Sequence, residues 1–161
     1  MSTYFNSLSL VDRQAYAAKL TLVNGVSLTD PYSISAAQWV HNHPTKWPPL
    51  QWPDIHDYLI ETPSLYTREK LRAYKSLDAY NFVLCGHVQD IDFHDYKIED
   101  FVVLKAEVLP SQRQGQKTQL YKSWVIINKR NCCVLTANCT CVAGYVLCIQ
   151  LNFILIPSFI H

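Results

Sequence analysis

The chain carries almost no excess charge. Its 161 residues include 14 Lys and Arg against 13 Asp and Glu, which gives a formal net charge of +1. A balance this even creates no overall electrostatic field around the molecule. Binding of a nucleic acid through total charge is therefore excluded, and any such binding would need a local cationic patch.

Charged residues of both signs are also scarce. They make up 17% of the chain, whereas apolar residues make up 49%. This composition is typical of a globular protein rather than a disordered one. A chain of this length can form one ordinary domain that buries a core.

The beginning of the sequence lacks the features of a secretory signal. Residues 1–6 contain neither a basic region nor a continuous apolar run. We therefore expect an intracellular protein, nuclear or cytoplasmic, whose six cysteines are reduced. In such a protein a Cys-x-Cys pair is more readily half of a metal site than part of a disulfide framework.

Two short helices are predicted near the beginning of the chain. A capping arrangement at Ser9 and the apolar spacing after it predict an amphipathic helix over residues 10–20. Ser33 can cap a second helix over residues 34–41, with Trp39 facing inward.

A stretch rich in Pro and Trp follows at residues 43–53. Because proline fixes the backbone and removes donors, this stretch is expected to be an extended connector that packs on its own domain. Further helices are predicted over residues 54–61 and from Thr67 onward. Residues 1–79 are thus predicted to form a helical N-terminal region.

From Tyr80 the apolar period changes to two, which indicates strands. We predict one strand over residues 80–88 and a second over residues 101–109. Residues 124–127 and 133–140 flank a polar turn and predict a hairpin. The sequence therefore predicts an α+β fold in which short helices precede a small antiparallel sheet.

Two cysteines, Cys139 and Cys141, lie at the end of this predicted hairpin. Alternate residues of an extended segment project to the same side, so their thiolates can hold one soft cation together. Cys148 follows as a third sulfur. Cys132 and Cys133 adjoin the turn, and one of them could replace a missing ligand.

These residues resemble the SWIM zinc finger, in which a Cys-x-Cys pair is followed by a Cys-x-His pair. The likeness is to a group of animal proteins, often associated with mobile elements, that frequently carry a YqaJ-type viral recombinase nuclease domain after the finger. It covers roughly residues 1–144, and its most specific phrases are residues 20–32, 73–82, 86–90 and 136–144.

The resemblance implies a zinc site formed by Cys139, Cys141 and Cys148, and an interaction with DNA or protein. Gln150 stands where the family has its histidine. The predicted SWIM-like hairpin is therefore incomplete, and we expect zinc to be bound weakly or lost. The nuclease activity of such proteins would belong to a downstream domain.

The residues after position 144 depart from the family and are almost all apolar. Residues 145–161 are close to the roughly 20 residues that span a bilayer, but two amides and a proline interrupt them. We expect a divergent tail that replaces the ligand helix rather than a membrane anchor. A non-functional, truncated fragment is an alternative interpretation.

Carboxylates and imidazoles gather within residues 87–100, including Asp90, Asp92 and His94. Such groups could hold a divalent ion for phosphodiester cleavage if they converged on one point. A solvated acidic loop is the favoured interpretation. An enzyme therefore remains an alternative to a binding module, and no small-molecule substrate is evident.

Cationic residues gather before the finger. The candidates for contacts with phosphate groups are Lys117, Lys122, Lys129 and Arg130. If the hairpin forms as predicted, several of them would lie on one side, although an ordinary soluble surface is favoured.

Overall fold

The computed structural model describes residues 2–22, 24–51, 53–54, 86–98, 100–109 and 120–141. Within these ranges two short α-helices precede a five-stranded antiparallel sheet. The helices are α1, Thr3–Ser7, and α2, Leu10–Lys19. The predicted α+β class is confirmed.

The strands lie in the sheet in the order in which they occur in the sequence. Each pairs antiparallel with its neighbours. They are β1 (Val40–His41), β2 (Val88–Asp95), β3 (Phe101–Val108), β4 (Tyr121–Asn128) and β5 (Val134–Cys139). β3 and the hairpin of β4 and β5 confirm the strands predicted there.

Both faces of the sheet are covered, which explains why β3 and β4 contain unbroken apolar runs. We call one side the helix face, since Val103, Trp124 and Ile126 pack there with residues of the N-terminal segment. We call the other the cysteine face, where Val125 and Cys139 belong to a second apolar cluster. The sheet therefore separates two cores.

Helix α2 begins as its sequence predicts. The Ser9 hydroxyl accepts a hydrogen bond from the Asp12 N–H at 3.2 Å and donates one to the Asp12 carboxylate at 2.6 Å. These bonds satisfy a free N–H of the first turn. The helix then places Tyr16, which is 1% exposed, against the sheet.

The predicted helix over residues 34–41 is wrong. Two 3-10 turns, Pro31–Ser33 and Ala36–Gln38, lie in this region, and β1 follows them. Val40 and His41 leave the helical path because they pair with β2. Trp39 is nevertheless buried, as predicted.

The prediction of an acidic loop within residues 87–100 is also wrong in part, because most of these residues belong to β2. Residues 80–85 of the strand predicted over 80–88 lie outside the described residues, and Gly86 lies in a turn with φ of 70°. β2 begins at Val88, and its register with β3 shifts before Ile91. The acidic side chains after this point belong to a paired strand.

Several other predictions fall outside the described residues. They are the helices over 54–61 and from Thr67 onward, and the tail at 145–161. In the connector at 43–53, a 3-10 turn covers Pro44–Lys46 and Trp47 packs on the cysteine-face core, as expected. No helix in the described ranges is long and apolar enough to cross a membrane.

A buried carboxylate ties the N-terminal segment together. Asp30, 8% exposed, accepts hydrogen bonds from the hydroxyl of Tyr16 at 2.7 Å and from the backbone N–H of Tyr32 at 2.9 Å. It also accepts bonds from the hydroxyl and the backbone N–H of Ser2. Four donors thus replace the water that this carboxylate loses on burial.

We expect Tyr16 and Tyr96 to resist ionisation in the folded protein. Burial raises the pKa of each phenol above its ordinary value of 10.0, and Tyr96 also donates to the carbonyl of Thr29 at 2.9 Å. A group whose pKa is raised by folding contributes stability that is complete below its unfolded pKa and is lost above it. Stability should therefore fall as the pH rises beyond about 10.

Absorbance of tyrosinate and circular dichroism, followed together during an alkaline titration, test this expectation. Three phenols, those of Tyr16, Tyr32 and Tyr96, should ionise only as the fold is lost, and Tyr96→Phe should reduce that number by one. Complete ionisation of all tyrosines near their ordinary pKa, with the circular dichroism unchanged, would contradict it.

Candidate functional site

The Cys-x-Cys pair lies at the end of β5. Cys139 is the last residue of this strand and is fully buried, while Cys141 is half-buried. Both contact the apolar cluster of the cysteine face. The two cysteines therefore share one side of the sheet, as their spacing predicts.

A hydrogen bond joins the two cysteines directly. The backbone N–H of Cys141 donates to the sulfur of Cys139, with 3.3 Å between N and Sγ. A hydrogen bond donated to sulfur stabilises a thiolate and so offsets part of the cost of burying a charged sulfur among apolar side chains. The thiolate is the form of cysteine that binds metal ions.

Pairing with β4 continues past the end of β5 and holds the segment between the cysteines. The N–H of Thr140 donates to the carbonyl of Lys122 at 3.0 Å, and the N–H of Lys122 donates to the Thr140 hydroxyl at 2.9 Å. The residue between the two sulfurs is thus anchored at both its backbone and its side chain.

A serine that sequence analysis did not single out lies opposite Cys139. Ser123 of β4 pairs with Cys139 and is itself fully buried. Its hydroxyl has no hydrogen-bond partner within the described ranges. Directly opposed side chains in an antiparallel pair lie about 5 Å apart at Cβ. The only sequence signal for Ser123 is one polar residue in an apolar strand.

Lys19 brings a cation to this end of β5. Its ammonium donates to the carbonyl of Ala137 at 3.1 Å and to the side-chain oxygen of Asn138 at 3.0 Å. Burial lowers the pKa of Lys19 to about 8, although the negative charge of an ionised Cys139 opposes this change.

Two further described cysteines, Cys132 and Cys133, lie before β5 rather than at its end. Cys148 lies outside the described residues. Cys132 and Cys133 precede β5, so an extended strand of about 20 Å separates Cys133 from Cys139. Burial, together with the nearby Asp54 and Cys133, raises the pKa of Cys132. The structure therefore gives no support to the idea that one of these two residues replaces a missing ligand.

The described residues contain no group of three or more His, Cys, Asp and Glu side chains that could hold a metal ion. A metal site that used Cys139 and Cys141 would have to take its other donors from residues outside those ranges. Two thiolates suit a soft ion such as zinc. A structural zinc site normally has four ligands.

The acidic and histidine residues of β2 have partners on different neighbouring segments. Asp92 contacts the imidazole of His41 at 2.6 Å and the ammonium of Lys105 at 3.4 Å. Lys105 also lies 3.9 Å from the centre of the Trp39 ring. Asp92 thus lies between an imidazole of β1 and an ammonium of β3.

Asp90 and His94 are held elsewhere along the same strand. The amide of Asn42 donates to Asp90 at 2.6 Å, and Nδ1 of His94 lies 3.0 Å from the carbonyl of Gln38. These contacts tie the two side chains to different parts of the N-terminal segment. The structure therefore gives no support to a metal-dependent catalytic centre at Asp90, Asp92 and His94.

Each predicted phosphate-binding cation in the described ranges has an acidic neighbour. Lys122 lies 3.9 Å from Glu107, and Arg130 forms an ion pair with Asp100. Lys117, the remaining candidate, lies outside the described residues.

Among the ion pairs of Lys122, Lys129 and Arg130, that of Lys129 is the one in which both side chains are best shielded from water. Lys129 donates to Asp95 at 2.9 Å. Burial raises the pKa of Asp95, but the bond from Lys129, a backbone bond from Lys97 and the neighbouring charges bring it below its ordinary value. The carboxylate of Asp95 therefore lies against the ammonium of Lys129 and compensates its charge.

Distance also separates these cations. Lys122 and Lys129 lie near opposite ends of β4, about 23 Å apart for seven residues of extended chain. Arg130 follows Lys129 in the turn. The structure therefore does not gather the described cations into one patch.

No protein-family model, curated protein or solved structure matches this chain. The resemblance to SWIM fingers accordingly stays a prediction. The chemistry of the site is inferred below from its own residues and geometry.

Proposed function

We propose that this chain is a SWIM-like interaction module that holds zinc through Cys139 and Cys141 and that contacts another protein. The observation that carries the proposal is the hydrogen bond from the Cys141 N–H to the Cys139 sulfur at 3.3 Å. It joins the backbone of Cys141 to the sulfur of Cys139 and gives that sulfur a donor that stabilises the metal-binding thiolate.

The zinc site is incomplete in its donor set. Two thiolates come from the end of β5, and Cys148 is the third ligand that the family resemblance implies. Gln150 replaces the histidine that would provide the fourth. Because a structural zinc site normally closes with four protein ligands, the chain binds zinc weakly when no partner is present.

A protein partner fits the charges better than DNA does. Affinity for DNA comes largely from cations that neutralise phosphates. Here Lys122, Lys129 and Arg130 lie beside Glu107, Asp95 and Asp100. The net charge of +1 adds no long-range attraction. The module therefore acts through surface complementarity rather than through phosphate contacts.

Titration of the full chain with Co²⁺, a spectroscopic substitute for zinc, tests the metal site. We expect a sulfur-to-cobalt charge-transfer band that Zn²⁺ displaces. Cys139→Ser and Cys141→Ser should each weaken binding more than about tenfold, since even the loss of a residue that only orients a ligand costs that much. Cys133→Ser is the matched control and should leave the band unchanged.

Two variants are used so that a loss of cobalt binding can be distinguished from a loss of the fold. Cys139 is fully buried, whereas Cys141 is only half-buried and tolerates replacement more easily. Circular dichroism should show that both variants stay folded. An unchanged band in folded Cys141→Ser, or an equal loss in Cys133→Ser, would contradict the assignment of the metal site.

A further inference from the structure

A groove of about 850 Å³ lies at the outer edge of β2, away from the cysteines. β1 pairs only with Asp92 and Phe93. From His94 onward, no described strand therefore covers this edge. The segment from Thr29 to Val40 forms the other side of the groove.

The lining combines an apolar floor with a cationic rim. Apolar surface comes from residues on both sides, including Ile34, Val40, Phe93 and Ile98. Ile98 is 47% exposed and so presents apolar surface to solvent. The cationic members are Lys46, Lys97 and Lys129, whereas Asp95 is the sole carboxylate among the described residues of the lining.

The charges of this rim do not cancel. Lys129 and Asp95 neutralise each other across 2.9 Å. Neither Lys46 nor Lys97 forms an ion pair with another described residue. Two ammonium groups therefore border an apolar surface without a compensating charge from the part of the chain that the structure describes.

One of these lysines is held in place by its backbone. Lys97 has a φ of 56°, in the left-handed region, and its N–H donates to the side chain of Asp95 at 2.9 Å. A non-glycine residue with this backbone conformation is uncommon and requires support from its surroundings. The turn thus fixes where the Lys97 side chain leaves the backbone.

His94 adds a hydrogen-bonding group to the same groove. Its Nδ1 lies 3.0 Å from the Gln38 carbonyl, which can only accept, so the proton is on Nδ1. In the neutral ring Nε2 is then an acceptor. The ring packs edge-on against Tyr96, with 5.4 Å between centroids.

We propose that this groove binds an organic anion with an apolar body, such as an aromatic or aliphatic carboxylate, sulfonate or phosphate monoester. Its volume falls within the range of roughly 300–1,000 Å³ that is typical of small-molecule sites. Lys46 and Lys97 contact the acidic group, and the apolar floor around Phe93 and Ile98 holds the body. The groove does not involve the cysteines, so this site is independent of zinc.

A pair of fluorescent probes that differ in charge tests the site. Anilinonaphthalene sulfonate is an aromatic anion, and phenylnaphthylamine is its uncharged counterpart. The double variant Lys46→Gln with Lys97→Gln should weaken binding of the sulfonate about tenfold, because it removes two partly screened charges. Its affinity for the uncharged probe should stay the same. Lys122→Gln, at an exposed lysine outside the groove, is the control and should alter neither affinity.

Amide chemical shifts locate the bound sulfonate in the unaltered chain. They should move most at His94, Lys97 and Ile98. The proposal is overturned if the double variant binds the sulfonate as tightly as the unaltered chain, if Lys122→Gln weakens binding equally, or if the largest shifts lie outside the groove.

Discussion

Replacing Trp124 by alanine is expected to lower the free energy of unfolding by about 3–5 kcal/mol. Trp124 is fully buried in the central part of β4. Its ring lies edge-on to Tyr16 at 6.0 Å and to Tyr32 at 6.4 Å. The substitution removes the largest fully buried side chain of the described core and leaves a cavity between the sheet and the N-terminal segment.

Urea unfolding followed by circular dichroism measures this loss. Leu135→Ala is the control, since Leu135 lies on the neighbouring strand β5 but is 41% exposed. It should cost less than about 1 kcal/mol. Trp124→Phe keeps an aromatic ring and should fall between the two. Equal destabilisation by the Trp124 and Leu135 alanine variants would contradict the described core.

Replacing Asp30 by alanine is expected to lower the free energy of unfolding by about 3 kcal/mol, because it leaves buried hydrogen-bond donors without an acceptor. The hydroxyl of Tyr16 and the groups of Ser2 would lose their partner while staying away from water. The same substitution frees the turn at Tyr32, whose N–H donates to Asp30. The N-terminal segment should then detach from the sheet more readily.

A second serine–aspartate pair provides the control. The Ser9 hydroxyl donates to Asp12 at the start of α2, but this bond is exposed to solvent. Asp12→Ala should therefore cost less than about 1 kcal/mol. Combining Tyr16→Phe with Asp30→Ala should destabilise the fold by less than the sum of the two single changes, since the hydroxyl that would lack an acceptor is then absent. Strict additivity would show that Asp30 does not hold Tyr16.

The two proposed sites can be tested separately because they lie on different edge regions of the sheet. Cys139 ends β5, at one edge. The groove lies along β2 beside β1, at the other edge. Loss of cobalt binding in Cys141→Ser with sulfonate binding unchanged would separate them. A protein that lost both functions together would instead have lost its fold.

Local pattern was sufficient for the elements whose stabilisation is local. The cap at Ser9 predicted helix α2, which spans Leu10–Lys19. Alternation of apolar residues predicted β3 and the hairpin of β4 and β5. The period of two in an extended chain also placed Cys139 and Cys141 on one side, and both contact the same apolar cluster.

Tertiary contacts determine the structure of the two segments for which the local sequence pattern gave a wrong prediction. Residues 34–41 have apolar spacing suitable for a helix, but pairing of Val40 with Phe93 and of His41 with Asp92 makes the last part a strand. The acidic run was expected to form a loop because it lies around a connection between two predicted strands and lacks helical or strand spacing. In the sheet Asp92 forms an ion pair with Lys105, and Asp90 accepts a hydrogen bond from the amide of Asn42.

The sequence by itself determined the α+β class, the main hairpin and the shared side of the two sulfurs, because these depend on residues near one another in the chain. Only the tertiary structure decided the surroundings of Cys139, where Lys19 reaches Ala137 across 118 residues of sequence. The same holds for the pairing of Lys129 with Asp95 and for the groove with Lys46 and Lys97. The energy of a charge depends on what the fold brings within a few ångströms, and spacing along the chain does not contain that information.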